Sequence, residues 1–204
     1  MTAAIDVLIL DVNDVLYRYD TRRRIELLAD LTATTPDAVH LAMFESGVEN
    51  RSDSGDLTPD GYLAAIGDRL ARPVDRSEWV RSLAGALTPM RESIDVVRRL
   101  HGRVAMVGLT NNGLIVKEES RRIFPVLSDL GIDLYVSAEF GARKPVVPVY
   151  LGLCRRLDVE PGRAAFVDDR ADNAEGAAAA GLRGHHFTTV DSLRSFLAEL
   201  GLPV

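Results

Sequence analysis

Apolar runs in this 204-residue chain end in residues equipped for chemistry. Asp11 follows the run at 7–10, and the pair Asp168 and Asp169 follows the run at 164–167. Another run, 104–109, leads into Thr110, Asn111 and Asn112, while Lys144 stands in the loop-like stretch GARKP at 141–145. If the runs are parallel strands, the residues just past their carboxyl ends face the ligand crevice of an open α/β sheet. Three carboxylates meeting there repel one another unless a cation sits among them. A hard divalent ion with oxygen ligands, magnesium above all, answers that need. A single Asp at such a place reads as a helix cap or turn residue, whereas three at strand ends favour the metal. Lys144 could neutralise a carboxylate nucleophile and a transferring phosphoryl group, or stand as a solvated loop lysine. The Thr110 hydroxyl could donate to a phosphoryl oxygen, with Asn111 and the backbone beyond it adding donors; for Thr110 and Asn112 helix capping is the alternative.

The elements that must carry these residues alternate. Runs at 7–10, 104–109, 164–167 and 184–187 read as buried parallel strands, and 134–137 as a fifth. Helical spacing appears at 94–100, 114–124, 149–157, 173–180 and 192–200. The pattern predicts an α/β fold, a parallel sheet with helices on both faces. Between the first run and residue 94 no strand is apparent, and helix starts are signalled by Thr35-Pro36, Thr58-Pro59 and Asp75. Residues 17–93 are therefore expected to form a helical insertion on a core made of 1–16 and 94–204, joined by linkers at 17–20 and 89–93.

Composition limits the classes of partner. With 47% hydrophobic and 26% charged residues the chain can bury a core, so disorder is not expected to dominate. The net charge is −6 and the densest basic cluster, Arg22 to Arg24, is three residues long, too small a face for nucleic acid. That cluster reads as a solvated helix start. The single cysteine, Cys154, excludes an intrachain disulfide. No apolar run approaches the roughly 20 residues that span a bilayer, and the N-terminal stretch has no basic leader pattern. A cytoplasmic location without a membrane partner is expected.

Together, the stretches 8–16 (LILDVNDVL), 109–112 (LTNN), 143–145 (RKP) and 166–173 (FVDDRADN) resemble the four ordered motifs of the haloacid dehalogenase superfamily. The resemblance spans essentially the whole chain and includes a cap-sized insertion directly after the first motif. The stretches 44–49 (FESGVE) and 55–58 (GDLT) resemble the helical cap of the subgroup containing small bacterial sugar-phosphate phosphatases and the N-terminal domains of epoxide hydrolases. The resemblance implies a Rossmann-like core with an α-helical cap, and a magnesium-dependent phosphohydrolase acting on a small phosphorylated metabolite. It implies Asp11 as the nucleophile that becomes an aspartyl phosphate, Thr110 as the phosphoryl-binding hydroxyl and Lys144 as the charge-neutralising lysine. Asp168 and Asp169 would hold magnesium, completed by the main-chain carbonyl of Asn13.

The departure is Asn13 itself. Phosphatases similar in the first motif usually read Asp-x-Asp, and the second Asp protonates the leaving oxygen and then activates water. Asn does neither at neutral pH, although it can orient water or substrate. Asp14, the neighbouring acid, is expected to point elsewhere because successive residues of an extended segment face opposite ways. Three other readings follow. Dehalogenation also uses an Asp nucleophile, but Asp168 with Asp169 favours phosphate chemistry. Phosphonate cleavage would need a cap lysine, and residues 17–93 contain none. A metabolite-binding or regulatory module with weakened catalysis is the alternative that Asn13 motivates.

Overall fold

The structure, a computed structural model, describes residues 5–203, so that residues 1–4 of the N-terminal stretch lie outside it. Five parallel strands form the central sheet: β1 (Val7–Leu10), β4 (Ala105–Thr110), β5 (Asp133–Val136), β6 (Ala164–Asp168) and β7 (Arg183–His186). Their order is β5-β4-β1-β6-β7. With β1 central, successive crossovers run to either side of it, and the crevice between diverging loops opens at its carboxyl end.

Burial on both faces explains why these strands read as continuous apolar runs. Val7 and Ile9 of β1 face α10 (Val147–Leu157) and α11 (Ala171–Ala179), packing with Val149, Tyr150 and Ala177. Leu8 and Leu10 point the opposite way, into a cluster with Val97 of α6 (Arg91–Arg99) and Leu193 of α12 (Val190–Glu199). That cluster continues without a break into the insertion, where it takes in Leu28, Tyr62 and Trp79.

The insertion contains α1 (Thr21–Thr32), α2 (Pro36–His40), α3 (Val48–Asp53), α4 (Pro59–Leu70) and α5 (Arg76–Ala84). The expected starts are real: Thr35 and Thr58 cap α2 and α4 by accepting from the N–H groups of Ala38 and Gly61, and Asp75 with Glu78 forms a capping box on α5. Two expectations need correction. The region is not free of strands, because β2 (Tyr17–Tyr19) and β3 (Leu87–Pro89) pair antiparallel where the insertion joins the core. Three residues are too few to display a period of two, and their pairing joins residues far apart in sequence. Nor is the basic cluster a solvated helix start throughout. Arg22 and Arg23 are exposed, but Arg24 shares the buried face of α1 with Leu28, Ala29 and Thr32.

The helix expected over 114–124 is interrupted at Glu119 into α7 (Leu114–Glu118) and α8 (Ser120–Ile123), with α9 (Pro125–Asp129) following. The interruption lies where Arg76 of α5 reaches both Glu118 and Glu119.

Candidate active site

At the carboxyl end of the sheet a crevice of about 520 Å³ is lined by Asp11, Asn13, Thr110, Asn111, Lys144 and Asp169, among others. A somewhat larger groove on the insertion, about 610 Å³ between α4 and the start of α5, gathers two Asp residues and an Arg but no nucleophile beside a base. Most of the residues singled out in the sequence line the first.

β1 delivers Asp11 into a buried position, and β6 delivers Asp168, which is fully buried. Lys144 joins them from the loop before α10. Its Nζ donates to Asp11 Oδ1 at 2.8 Å, to Asp168 Oδ2 at 2.6 Å and to the Leu109 carbonyl at 3.0 Å. An ammonium has three protons, so all of its donors are engaged. The Asn111 carboxamide is bound to the lysine's main chain, accepting from Lys144 N at 2.8 Å and donating to Lys144 O at 3.0 Å. A Cβ at Gly176 of α11 would lie 2.2 Å from the Pro145 carbonyl, so only glycine lets this loop seat so closely.

Thr110 is buried, and its Oγ1 accepts from Asn112 Nδ2 at 2.9 Å, leaving the hydroxyl proton to donate. Asn112 is held by Ser137, whose Oγ accepts from its N–H. Asp168 Oδ1 accepts from Arg170 N and from Asn173 Nδ2, so both oxygens of Asp168 have donors. The side chain of Asp169 has no donor among the described residues beyond its own backbone N–H.

The loop after β1 departs from the expected alternation. Asp14 adopts a left-handed backbone, φ 55°, while its N–H bonds the Tyr17 carbonyl. The turn brings its side chain to the crevice beside Asn13 instead of away from it. Asp and Asn tolerate this conformation better than most residues, which is the one hint the sequence held.

Electrostatics follow from this crowding. Burial raises the Asp11 carboxyl to about 7, the charges of Asp168 and Asp169 add to the rise, and Lys144 opposes it. Burial also raises the Asp169 carboxyl, helped by the charges of Asp168 and Asp14. Lys144 loses solvation, yet its two carboxylate partners outweigh that loss and hold its ammonium above the ordinary range. One lysine thus faces an excess of acid. Asp11, Asp168 and Asp169 each offer an oxygen within 4.8 Å of the others, and Asn13 Oδ1 is buried without a hydrogen-bond partner. Oxygen donors in this number and charge fit a hard divalent cation.

Of the residues singled out in the sequence, Asp11, Asn13, Thr110, Asn111, Lys144 and Asp169 line the crevice. Asp168 and Asn112 stand behind them, in contact with Lys144 and Thr110 respectively. Asp14 and Arg143 also line the crevice and had been given no part in it.

A five-stranded parallel sheet with a helical insertion carries a buried Asp–Lys–Asp cluster at its carboxyl edge, the arrangement of an α/β protein whose site is gathered at the strand ends. The chain matches the haloacid dehalogenase-like hydrolase family over residues 5–181 and belongs to that family. It is similar to a sesquiterpene phosphatase of Aspergillus oryzae, 28% identical over 142 residues, spanning 69% of this chain and 71% of that protein. A Mycobacterium tuberculosis phosphatase is 26% identical over 192 residues, spanning 89% and 87%. Among solved structures, a haloacid dehalogenase family enzyme of Bacteroides thetaiotaomicron in complex with magnesium and inorganic phosphate superposes with a TM-score of 0.73. Its sequence identity is 19%, covering 91% of this chain and 95% of that one.

Proposed function

We propose that this chain is a magnesium-dependent phosphohydrolase of small phosphorylated metabolites in the cytoplasm, working through an aspartyl phosphate on Asp11. In this reading residues 17–93 are the cap and residues 1–16 with 94–204 the core. The observation that carries it is the buried contact of Lys144 with both Asp11 and Asp168, with an Asp169 carboxylate oxygen within 4.8 Å of theirs. The phosphatase relatives and the family membership support it.

Asp11 Oδ1 is held by Lys144, leaving Oδ2 to attack phosphorus in line with the departing oxygen. Thr110 donates its hydroxyl to a phosphoryl oxygen. Asn112 fixes that hydroxyl, and Asn111 fixes the lysine through its main chain. Magnesium, when bound, neutralises carboxylate and phosphoryl charge. Asp11, Asp169 and the main-chain carbonyl of Asn13 would hold it, with Asp168 the fourth oxygen source in the group. Water then cleaves the acyl phosphate and releases inorganic phosphate. Asn13 gives no proton to the leaving oxygen, so turnover depends on the leaving group's own acidity. Among the described residues no helix is long and apolar enough to cross a membrane.

The test is phosphate release from aryl and sugar phosphates, with and without magnesium, in the wild type and in Asp11→Asn. Metal-dependent release abolished by the substitution is the expected result. Phosphate binding without turnover by the wild type would instead mark a binding module.

A further inference from the structure

The proposed phosphohydrolase site has a charge deficit. Asp11, Asp14, Asp168 and Asp169 outweigh Lys144 plus one divalent cation by a single negative charge, and a phosphate monoester brings up to two more. Lys144 has no donor left for the substrate, since Asp11, Asp168 and the Leu109 carbonyl take all three. Arg170 lines the crevice too, but its guanidinium is forked onto Asp172, and that contact lowers the Asp172 carboxyl and keeps the pair ionised and mutually cancelled.

Arg143 is the remaining cation in the lining. Its guanidinium is gripped from the insertion: Nη1 donates to Asn50 Oδ1 at 2.7 Å, and Nε lies 3.3 Å from Asp53 Oδ2 without hydrogen-bond alignment. Nη2 makes no hydrogen bond among the described residues. Asp53 is itself buried, and α3, which carries it, is anchored to the core where Ser137 Oγ donates to the Asp53 carbonyl at 2.7 Å. Burial and the nearby Glu49 charge push the Asp53 carboxyl well above its ordinary range, against the opposing pull of Arg143. The charge of Arg143 is therefore less cancelled than that of Arg170. A guanidinium held through Nη1 and Nε keeps the Nη2 amino group free as a positioned, charge-assisted donor for a phosphoryl oxygen.

We infer that Arg143 is a phosphoryl-binding residue of this site, presenting its free Nη2 amino group to the transferring phosphate, with Asn50 and Asp53 as the positioning residues that aim it. The insertion would thus act on catalysis through an arginine of the core. This inference rests on the phosphohydrolase reading.

The experiment is calorimetric titration of inorganic phosphate into the magnesium-loaded protein, for the wild type, Arg143→Gln, Arg143→Lys and Asn50→Ala. It is paired with kcat/KM on nitrophenyl phosphate and on an alkyl phosphate. Loss of one charge-assisted contact should weaken phosphate binding about tenfold to a hundredfold in Arg143→Gln, and less in Arg143→Lys. Magnesium affinity without phosphate should stay unchanged, and kcat/KM should fall by the same factor on both esters. Asn50→Ala, which leaves the Arg143–Asp53 contact in place, should show a smaller loss of phosphate affinity at unaltered thermal stability, and it decides the matter should Arg143→Gln not fold. Unchanged phosphate affinity in these variants overturns the inference. So does a kcat/KM loss confined to one ester, which would assign Arg143 to the leaving group, and so does a wild type that binds no phosphate. A wild type that binds phosphate but hydrolyses neither ester removes the phosphohydrolase reading alone, and the calorimetry still judges Arg143.

Discussion

Lys144 Nζ lies 2.6 Å from Asp168 Oδ2, and both side chains are almost wholly removed from solvent. The same ammonium reaches Asp11 at 2.8 Å, so a single cation stabilises two buried carboxylates. Removing one partner of a buried ionic group costs about 3–5 kcal/mol, because the charges left behind have neither water nor a counter-ion. Lys144→Met should therefore destabilise the metal-free protein by about that amount in denaturant unfolding. Magnesium should return part of the loss. A loss below about 1 kcal/mol, the scale of an exposed pair, would contradict the geometry.

Asp11 sets a pH dependence. Its carboxyl rises from 3.8 to about 7 on folding, so the folded state holds this proton more tightly than the unfolded chain does. The resulting stability is complete below pH about 4 and is lost as pH rises toward about 7. Metal-free protein should lose stability across that window, and Asp11→Asn should flatten the slope. Added magnesium should offset the loss at neutral pH, since it binds the ionised form. Thermal unfolding at a series of pH values, with and without the metal, measures all three effects.

Asn13 lines the crevice where a general acid is expected, and its Oδ1 is buried without a partner. A positioned acid contributes about 10²–10⁴-fold, most for poor leaving groups. Asn13→Asp should accordingly raise turnover of a sugar phosphate far more than that of a nitrophenyl ester. Lower activity on the sugar phosphate would show that Asn13 has its own task with water or a substrate hydroxyl.

Gly113 fixes how closely α3 approaches the core. A Cβ there would lie 2.0 Å from Ser52 Oγ and 3.2 Å from Ser52 Cβ. Overpacking of this kind typically costs about 1–3 kcal/mol. Gly113→Ala should lower stability in that range, and Ser52→Ala in the same molecule should recover most of it. If the double variant is no better than the single one, the contact is not where the strain falls.

The sheet was legible because its evidence is local. A buried parallel strand is a short apolar run, and the acids after residues 10 and 167 mark its carboxyl end whatever surrounds it. Thr35, Thr58 and Asp75 announced their helices for the same reason, since a cap acts within its own first turn. Asp11 and Asp168 could thus be picked out from residue type and order, whereas Lys144 was singled out through the resemblance of 143–145 to a family motif.

Contacts between distant parts of the chain were decided only by the tertiary structure. β2 and β3 pair across the whole insertion, beyond the reach of any local pattern. Arg24 looks like its exposed neighbours Arg22 and Arg23 until the packing of α1 buries it, with Nη1 2.7 Å from Glu49 Oε1 and the guanidinium 5.2 Å from the Trp79 ring centre. Asp14 reaches the crevice through a backbone turn that the alternation of an extended segment does not anticipate. Arg143, one residue before the lysine, takes its orientation from Asn50 and Asp53, about ninety positions away in sequence. Residue type and spacing determined which groups could do the chemistry. Which of them are buried, paired or left with a free donor depends on burial and long-range pairing, which exist only once the chain has folded.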